Sequence, residues 1–189
     1  MPKDITLFKH PESLFFKLIR KKEELKDLAC DGFLLDMDEK EARRTIEFLK
    51  QKDKTKKIAI IGGEDEFNRR ALETLKIDYL VSPENNHGKD SLKQRASGFN
   101  QVLAEIAKKK NISIIFSLSL INSVTDKKQR AILLSRIIQN IKVCRKSDCP
   151  VKFATFAKNE EELMDEKQVQ AIGFSLGMSS QQGYMCFSF

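Results

Sequence analysis

Asp36 and Asp38 lie one residue apart, directly after the short apolar run Gly32-Phe33-Leu34-Leu35. Together with His87 they are the groups best suited to hold a divalent metal that activates water for phosphoester hydrolysis. The same acids also suit the first turn of a helix, where carboxylates face unpaired N–H groups, and a lone Asp-x-Asp favours that simpler role. His10 and His87 are the only histidines, too few for a multi-histidine metal centre. Gly62-Gly63 has the backbone freedom to cradle a phosphate, but Glu64, Asp65 and Glu66 follow at once and would repel it. Cys144 and Cys149 form the one close cysteine pair, and without a second pair they read as buried thiols. There is no Gly-x-Ser-x-Gly elbow, and no Ser or Cys adjoins a histidine, so the common nucleophilic arrangements are missing.

Basic residues carry more information because of where they fall. Lys89, Lys93 and Arg95 share a polar loop over residues 84–96. Lys127, Lys128 and Arg130 open a long helix, where their charges oppose the helix dipole and a polyanion would relieve them. Lys158 follows the last strand expected. Each group follows a strand, so a parallel sheet would bring all of them to one rim suited to the phosphates of folded RNA. Composition alone fits scattered surface lysines equally well. The run Lys50, Lys52, Lys54, Lys56 and Lys57 precedes a strand and reads as a solvated linker.

The elements that must position these residues alternate. Strand-like runs are expected near residues 5–8, 32–35, 57–61, 79–81, 112–116 and 151–155. Helical patterns are expected over about 12–28, 39–50, 67–75, 97–109 (capped by Ser97), 125–149 (capped by Thr125), 160–163 and 166–176. Such alternation predicts a mostly parallel α/β sheet, either doubly wound or a closed or incomplete barrel. Residues 1–182 read as one domain, and 183–189 as an apolar tail that could be an edge strand, a docking segment or a fold-back. The 189 residues carry 34 Lys and Arg against 27 Asp and Glu, a net charge of +7. No apolar run approaches a membrane span, the start lacks a secretory pattern, and four cysteines then suggest reduced thiols in a cytoplasmic protein without membrane association.

The blocks Asp78-Tyr79-Leu80-Val81-Ser82-Pro83, Arg95-Ala96-Ser97-Gly98-Phe99-Asn100-Gln101-Val102-Leu103, Ile114-Ile115-Phe116-Ser117, Gln129-Arg130-Ala131-Ile132-Leu133-Leu134 and Leu176-Gly177-Met178-Ser179 occur in an informative order. Over roughly residues 57–182 the chain resembles the archaeal ribonuclease P protein component 3 family. The resemblance implies a barrel-like α/β fold, a complete or incomplete TIM barrel, related to the polymerase-and-histidinol-phosphatase type but without its metal ligands. It also implies an RNA-binding subunit of the ribonucleoprotein endonuclease that removes the 5′ leader from precursor tRNA. In that enzyme the RNA is the catalyst and uses Mg²⁺, and the chain itself needs no cofactor and has no catalytic residue. Ribonuclease P RNA and protein component 2 are the implied partners, with precursor tRNA met indirectly. Arg95 and Arg130 become the leading RNA contacts, with Lys89, Lys93, Lys127, Lys128 and Lys158 as neighbours. Gln101 stands where the family usually has His, and Met164 lies near a frequent Arg. The competing expectation is a metal-dependent phosphoesterase barrel using Asp36, Asp38 and His87.

Overall fold

In a strand, side chains alternate between two faces, so a sheet buried on both sides needs apolar residues throughout. Seven segments form the sheet, with β3 to β6 closest to that demand: β1 (Asp4–Thr6), β2 (Ser13–Ile19), β3 (Gly32–Leu35), β4 (Lys57–Ile61), β5 (Tyr79–Val81), β6 (Ser113–Ser117) and β7 (Val151–Ala154). The computed structural model describes residues 4–25, 27–86, 88–91 and 95–189. Each strand pairs in parallel with the next, in the order β1 to β7. Backbone bonds then join the two ends: the Phe156 N–H donates to the Ile5 carbonyl at 2.9 Å and the Leu7 N–H to the Ala157 carbonyl at 2.7 Å. Across the same seam the Asp4 carboxylate accepts from the Thr155 N–H at 2.9 Å and from its hydroxyl. The sheet therefore curls into a nearly closed barrel of the TIM type.

Inside the barrel lie Ile5, Phe16, Leu34, Ala59, Val81, Ile115 and Phe156. The outward face, with Phe33, Ile58, Ile60, Leu80, Ile114 and Phe153, packs under the helices. These are α1 (Glu39–Lys52), α2 (Asp65–Thr74), α3 (Gln101–Lys109), α4 (Leu118–Ser123), α5 (Lys127–Ser147), α6 (Glu166–Ser175) and α7 (Ser180–Met185). Asp38, Asn100 and Asp126 cap α1, α3 and α5 by accepting from backbone N–H groups. The expected caps Ser97 and Thr125 are thus replaced by Asn100 and Asp126. The Asp126 carboxylate also supplies the negative charge that the basic first turn of α5 lacks.

The helix expected over 12–28 is instead β2 followed by a 3-10 turn at Lys22–Glu24. Leu14, Phe15, Leu18 and Ile19 fit helical spacing, but Leu14, Phe16 and Leu18 also alternate, and that period governs the fold. Gly32 makes room for it: a Cβ there would stand 2.5 Å from the Phe16 ring. The last residues fold back onto the barrel. The Phe153 N–H donates to the Cys186 carbonyl at 2.8 Å, and Cys186 and Phe187 are buried. Phe189 meets Tyr79 edge-on at 6.0 Å, with the Lys152 ammonium 4.8 Å from its ring centroid. Those contacts stopper the end of the barrel where the strands begin.

Strand parity makes a sharp prediction about β2. Phe16→Ala should cost about 3–5 kcal/mol in denaturant unfolding, because it empties a filled barrel interior. Phe15→Ala, on the opposite and partly exposed face, should cost less than half as much. Equal costs would contradict the inward placement of Phe16.

Candidate nucleic-acid interface

Parallel strands deliver all their exits to one mouth. The longest exit is the loop after β5, and buried side chains from two helices shape it. Asn68 of α2 is fully buried; its amide donates to the carbonyls of Gly63 at 2.9 Å, Pro83 at 3.2 Å and Gly98 at 2.8 Å, and its oxygen accepts from the Gly63 N–H at 2.9 Å. Gly98 has φ +65°, and a Cβ there would stand 2.0 Å from the Pro83 carbonyl oxygen, so the approach demands glycine. Arg136 of α5 is 8% exposed and spends its guanidinium on the same loop. It donates to Asp90 at 3.1 Å and to the carbonyls of Asn86 at 2.5 Å and Gly88 at 2.6 Å. Gln139 holds Arg95 by both backbone groups, at 3.0 and 3.1 Å. Spacing shows how Arg136 and Asn140 were findable: both sit on the apolar stripe of α5 beside Leu133, Ile137 and Ile141.

These bonds decide where the expected RNA contacts stand. Lys89 and Arg95 are exposed on the loop, and Arg95 lies 3.6 Å from Asp90. Lys93 falls outside the described residues, as does His87. Lys127, Lys128 and Arg130 are exposed on the first turn of α5, with the Arg130 Nε donating to the Val124 carbonyl at 2.8 Å. Lys158 shares a mouth cavity of about 300 Å³ with Arg20, Asp36, Ser82, Ser117 and Ser123. The α4–α5 turn brings the start of α5 close to this cavity through Ser123 and Val124. Arg95 stands apart from Arg130, since its backbone is bound nine residues further along α5, about 14 Å at helical rise.

The remaining candidates have structural partners. Asp38 caps α1, and Asp36 pairs with Arg20 at 3.2 Å. Among the described residues no three His, Cys, Asp or Glu side chains gather to hold a metal. Cys30, Cys144, Cys149 and Cys186 are buried free thiols. Around the mouth, acids outnumber bases at the openings of α1 and α2 and near α6, where Glu160, Glu161, Glu162, Asp165 and Glu166 cluster. Basic groups at this end stand beside α5 and on the exit of β2, at Arg20, Lys21 and Lys22.

Glu84 follows β5 and is 1% exposed. Burial pushes its carboxyl up to about 8, against hydrogen bonding from its own backbone N–H and the Ser82 hydroxyl and the charge of Arg136. The folded state therefore holds a proton that the unfolded chain releases near pH 4.5. Stability from this group is complete below the unfolded value and is lost as pH rises through about 8. Glu84→Gln should flatten the fall in Tm between pH 6.5 and 8.5. A variant with the wild-type pH profile would show that Glu84 does not titrate in this window. Arg136→Met should raise amide exchange at Asn86, Gly88, Lys89 and Asp90 by at least tenfold while the barrel strands stay protected, because it leaves several carbonyls unpaired.

The architecture recurs in solved structures. A chain of archaeal ribonuclease P, determined by cryo-electron microscopy with mature tRNA, superposes with a TM-score of 0.64 at 22% identity, covering 90% of this chain and 86% of that one. A Xaa-Pro dipeptidase with bound methionine matches at a TM-score of 0.57 and 12% identity, over 85% of this chain and 42% of its own. Both likenesses show a shared barrel fold. In sequence the chain is 29% identical over 140 residues to ribonuclease P protein component 3 of Methanococcoides burtonii, covering 74% of this chain and 54% of that protein. It is 30% identical over 128 residues to the component 3 protein of Methanocaldococcus jannaschii, covering 64% of this chain and 51% of that protein. The chain thus spans about half the length of these curated relatives. Residues 27–188 match the model of the RNase P subunit p30 family, most of the chain, and this protein belongs to that family.

Proposed function

We propose that this chain is a protein subunit of ribonuclease P that binds and stabilises the catalytic RNA during 5′-leader removal from precursor tRNA in the cytoplasm. In this reading the RNA performs the cleavage with Mg²⁺, protein component 2 is the neighbouring subunit, and the chain contacts tRNA only indirectly. The match of residues 27–188 to the p30 family carries the proposal. The barrel supports it by presenting exposed cations on backbone that buried side chains hold in place. Lys89 and Arg95 stand on a loop stapled by Arg136 and Gln139, while Lys127, Lys128 and Arg130 stand on a capped helix. Lys93 and Lys158 complete the proposed contact set.

The physical task is electrostatic. Packed RNA helices repel one another, and each Lys or Arg placed on a phosphate releases condensed counterions and offsets part of that repulsion. A cation on rigid backbone sacrifices little conformational entropy on binding, so it substitutes for Mg²⁺ that would otherwise be recruited from solution.

Reconstitution tests this directly. Ribonuclease P RNA with component 2, assayed on precursor tRNA at limiting Mg²⁺, should cleave faster when this chain is added. Arg95→Ala combined with Arg130→Ala should raise the Mg²⁺ needed for half-maximal cleavage by about twofold or more, with Tm close to wild type. An unchanged Mg²⁺ requirement would contradict the assigned contacts. Chelator-sensitive phosphoesterase activity by the purified chain alone would contradict the division of labour.

A further inference from the structure

The end of the barrel where strands begin carries a stronger basic field than the mouth. Six connections reach it; those leading from α1 to β4, from α2 to β5, from α3 to β6 and from α5 to β7 are basic, while the one from β2 to β3 adds Asp27 and Asp31. Residues 50–57, 73–78, 108–110 and 145–148 in the four basic connections hold eleven Lys and Arg against four Asp and Glu. Asp27 and Asp31, which reach the same rim before β3, reduce that excess of seven to five.

Helix dipoles explain only part of this. A cation in the last turn of a helix is favourable, but Lys54, Lys56, Lys57, Lys76 and Lys110 lie beyond the helix ends. Ion pairing explains another part. Lys50 and Lys57 share Asp78 at 3.8 and 3.2 Å, Lys56 lies 3.6 Å from Asp53, and Lys108 lies 3.0 Å from Asp148. Lys54, Lys76, Lys109, Arg145 and Lys146 are exposed and have no carboxylate partner among the described residues.

The helix ends are also contiguous. Lys54 and Lys76 line one cleft of about 380 Å³ between α1 and α2, with Arg43 and Lys50 on its walls and Glu47 as its single acid. Lys110 ties the end of α3 to α2 by donating to the Leu72 and Glu73 carbonyls at 2.8 and 2.5 Å. The Lys108–Asp148 pair ties α3 to the end of α5. Helices packed about 10 Å apart place these four ends along an arc on the order of 30 Å. An arc of that length with unneutralised cations matches a sugar–phosphate backbone better than any single small anion.

We infer that the strand-start rim, from the α1–α2 cleft to the end of α5, is a second phosphate-binding surface that takes the backbone of folded RNA. The inference rests on the subunit reading above and adds a location opposite the mouth. A barrel with RNA contacts at both ends would brace two segments of the RNA against each other.

The test is filter binding to ribonuclease P RNA across a salt series. The variant Lys54→Ala, Lys76→Ala, Lys109→Ala, Lys146→Ala should flatten the log K against log salt slope by about 3 and weaken binding on the order of 100-fold at 0.1 M salt. All four side chains are exposed, so Tm should match wild type, and Lys→Arg at the same four positions should keep both slope and affinity. Steep wild-type binding with an unchanged alanine variant would overturn the rim and leave the subunit reading standing. Wild type that binds RNA with no salt dependence at all would remove both. Normal RNA binding combined with loss of component 2 from the reconstituted particle would mean that the rim docks protein, which also overturns the inference.

Discussion

Closure of the sheet is the constraint on which the rest of the molecule depends. Seven parallel strands in sequential order leave edges at β1 and β7, and unpaired edges invite aggregation. The backbone bonds between residues 5–7 and 156–157, with Asp4 set against Thr155, join those edges. Once the strands form a barrel with one direction, every strand exit faces the mouth, and the C-terminal ends of the crossover helices α1, α2, α3 and α5 face the other rim. The position of each charged residue along a β–α unit then decides which end of the molecule it occupies.

That polarity sorts the charges. Acids near helix openings collect around the mouth, except where α5 begins with Lys127, Lys128 and Arg130 behind the Asp126 cap. Lysines beyond helix ends collect at the opposite rim. Helix dipoles favour the same sorting, yet each is worth only about 0.3–1 kcal/mol and is felt within a turn. The surplus of loop lysines past the helix ends exceeds what the dipoles need. In the proposed role of steadying folded RNA such fixed charge helps, because the protein supplies it without gathering ions from solution.

Much of this was legible in the sequence. Apolar runs at 32–35, 57–61, 79–81 and 113–117, separated by amphipathic stretches, mark the strands and crossover helices because those strands are buried on both faces. The block order from Asp78 to Ser179 pointed to the family. β2 was hidden because Ser13-Leu14-Phe15-Phe16-Lys17-Leu18-Ile19 satisfies both periods, and only the neighbouring Gly32 and the closed barrel choose between them. Arg136 is a charged residue on an apolar helical stripe, which is a visible anomaly in the sequence. Its partners are backbone carbonyls fifty residues away, which no pattern reveals. The rim cations suffered from a similar blindness: the run over 50–57 reads as linker until folding sets it beside Lys76 in one cleft.

All four native cysteines are buried, so a single introduced cysteine can carry a tethered hydroxyl-radical source. Site-directed cleavage of ribonuclease P RNA from probes at Lys54→Cys, Lys128→Cys and Glu41→Cys measures most directly whether the barrel's charge polarity orients the RNA. Distinct, reproducible RNA cuts are expected from positions 54 and 128, with weak or no cutting from the acidic sector at 41. Strong cutting from position 41, with none from the two basic positions, would contradict that orientation.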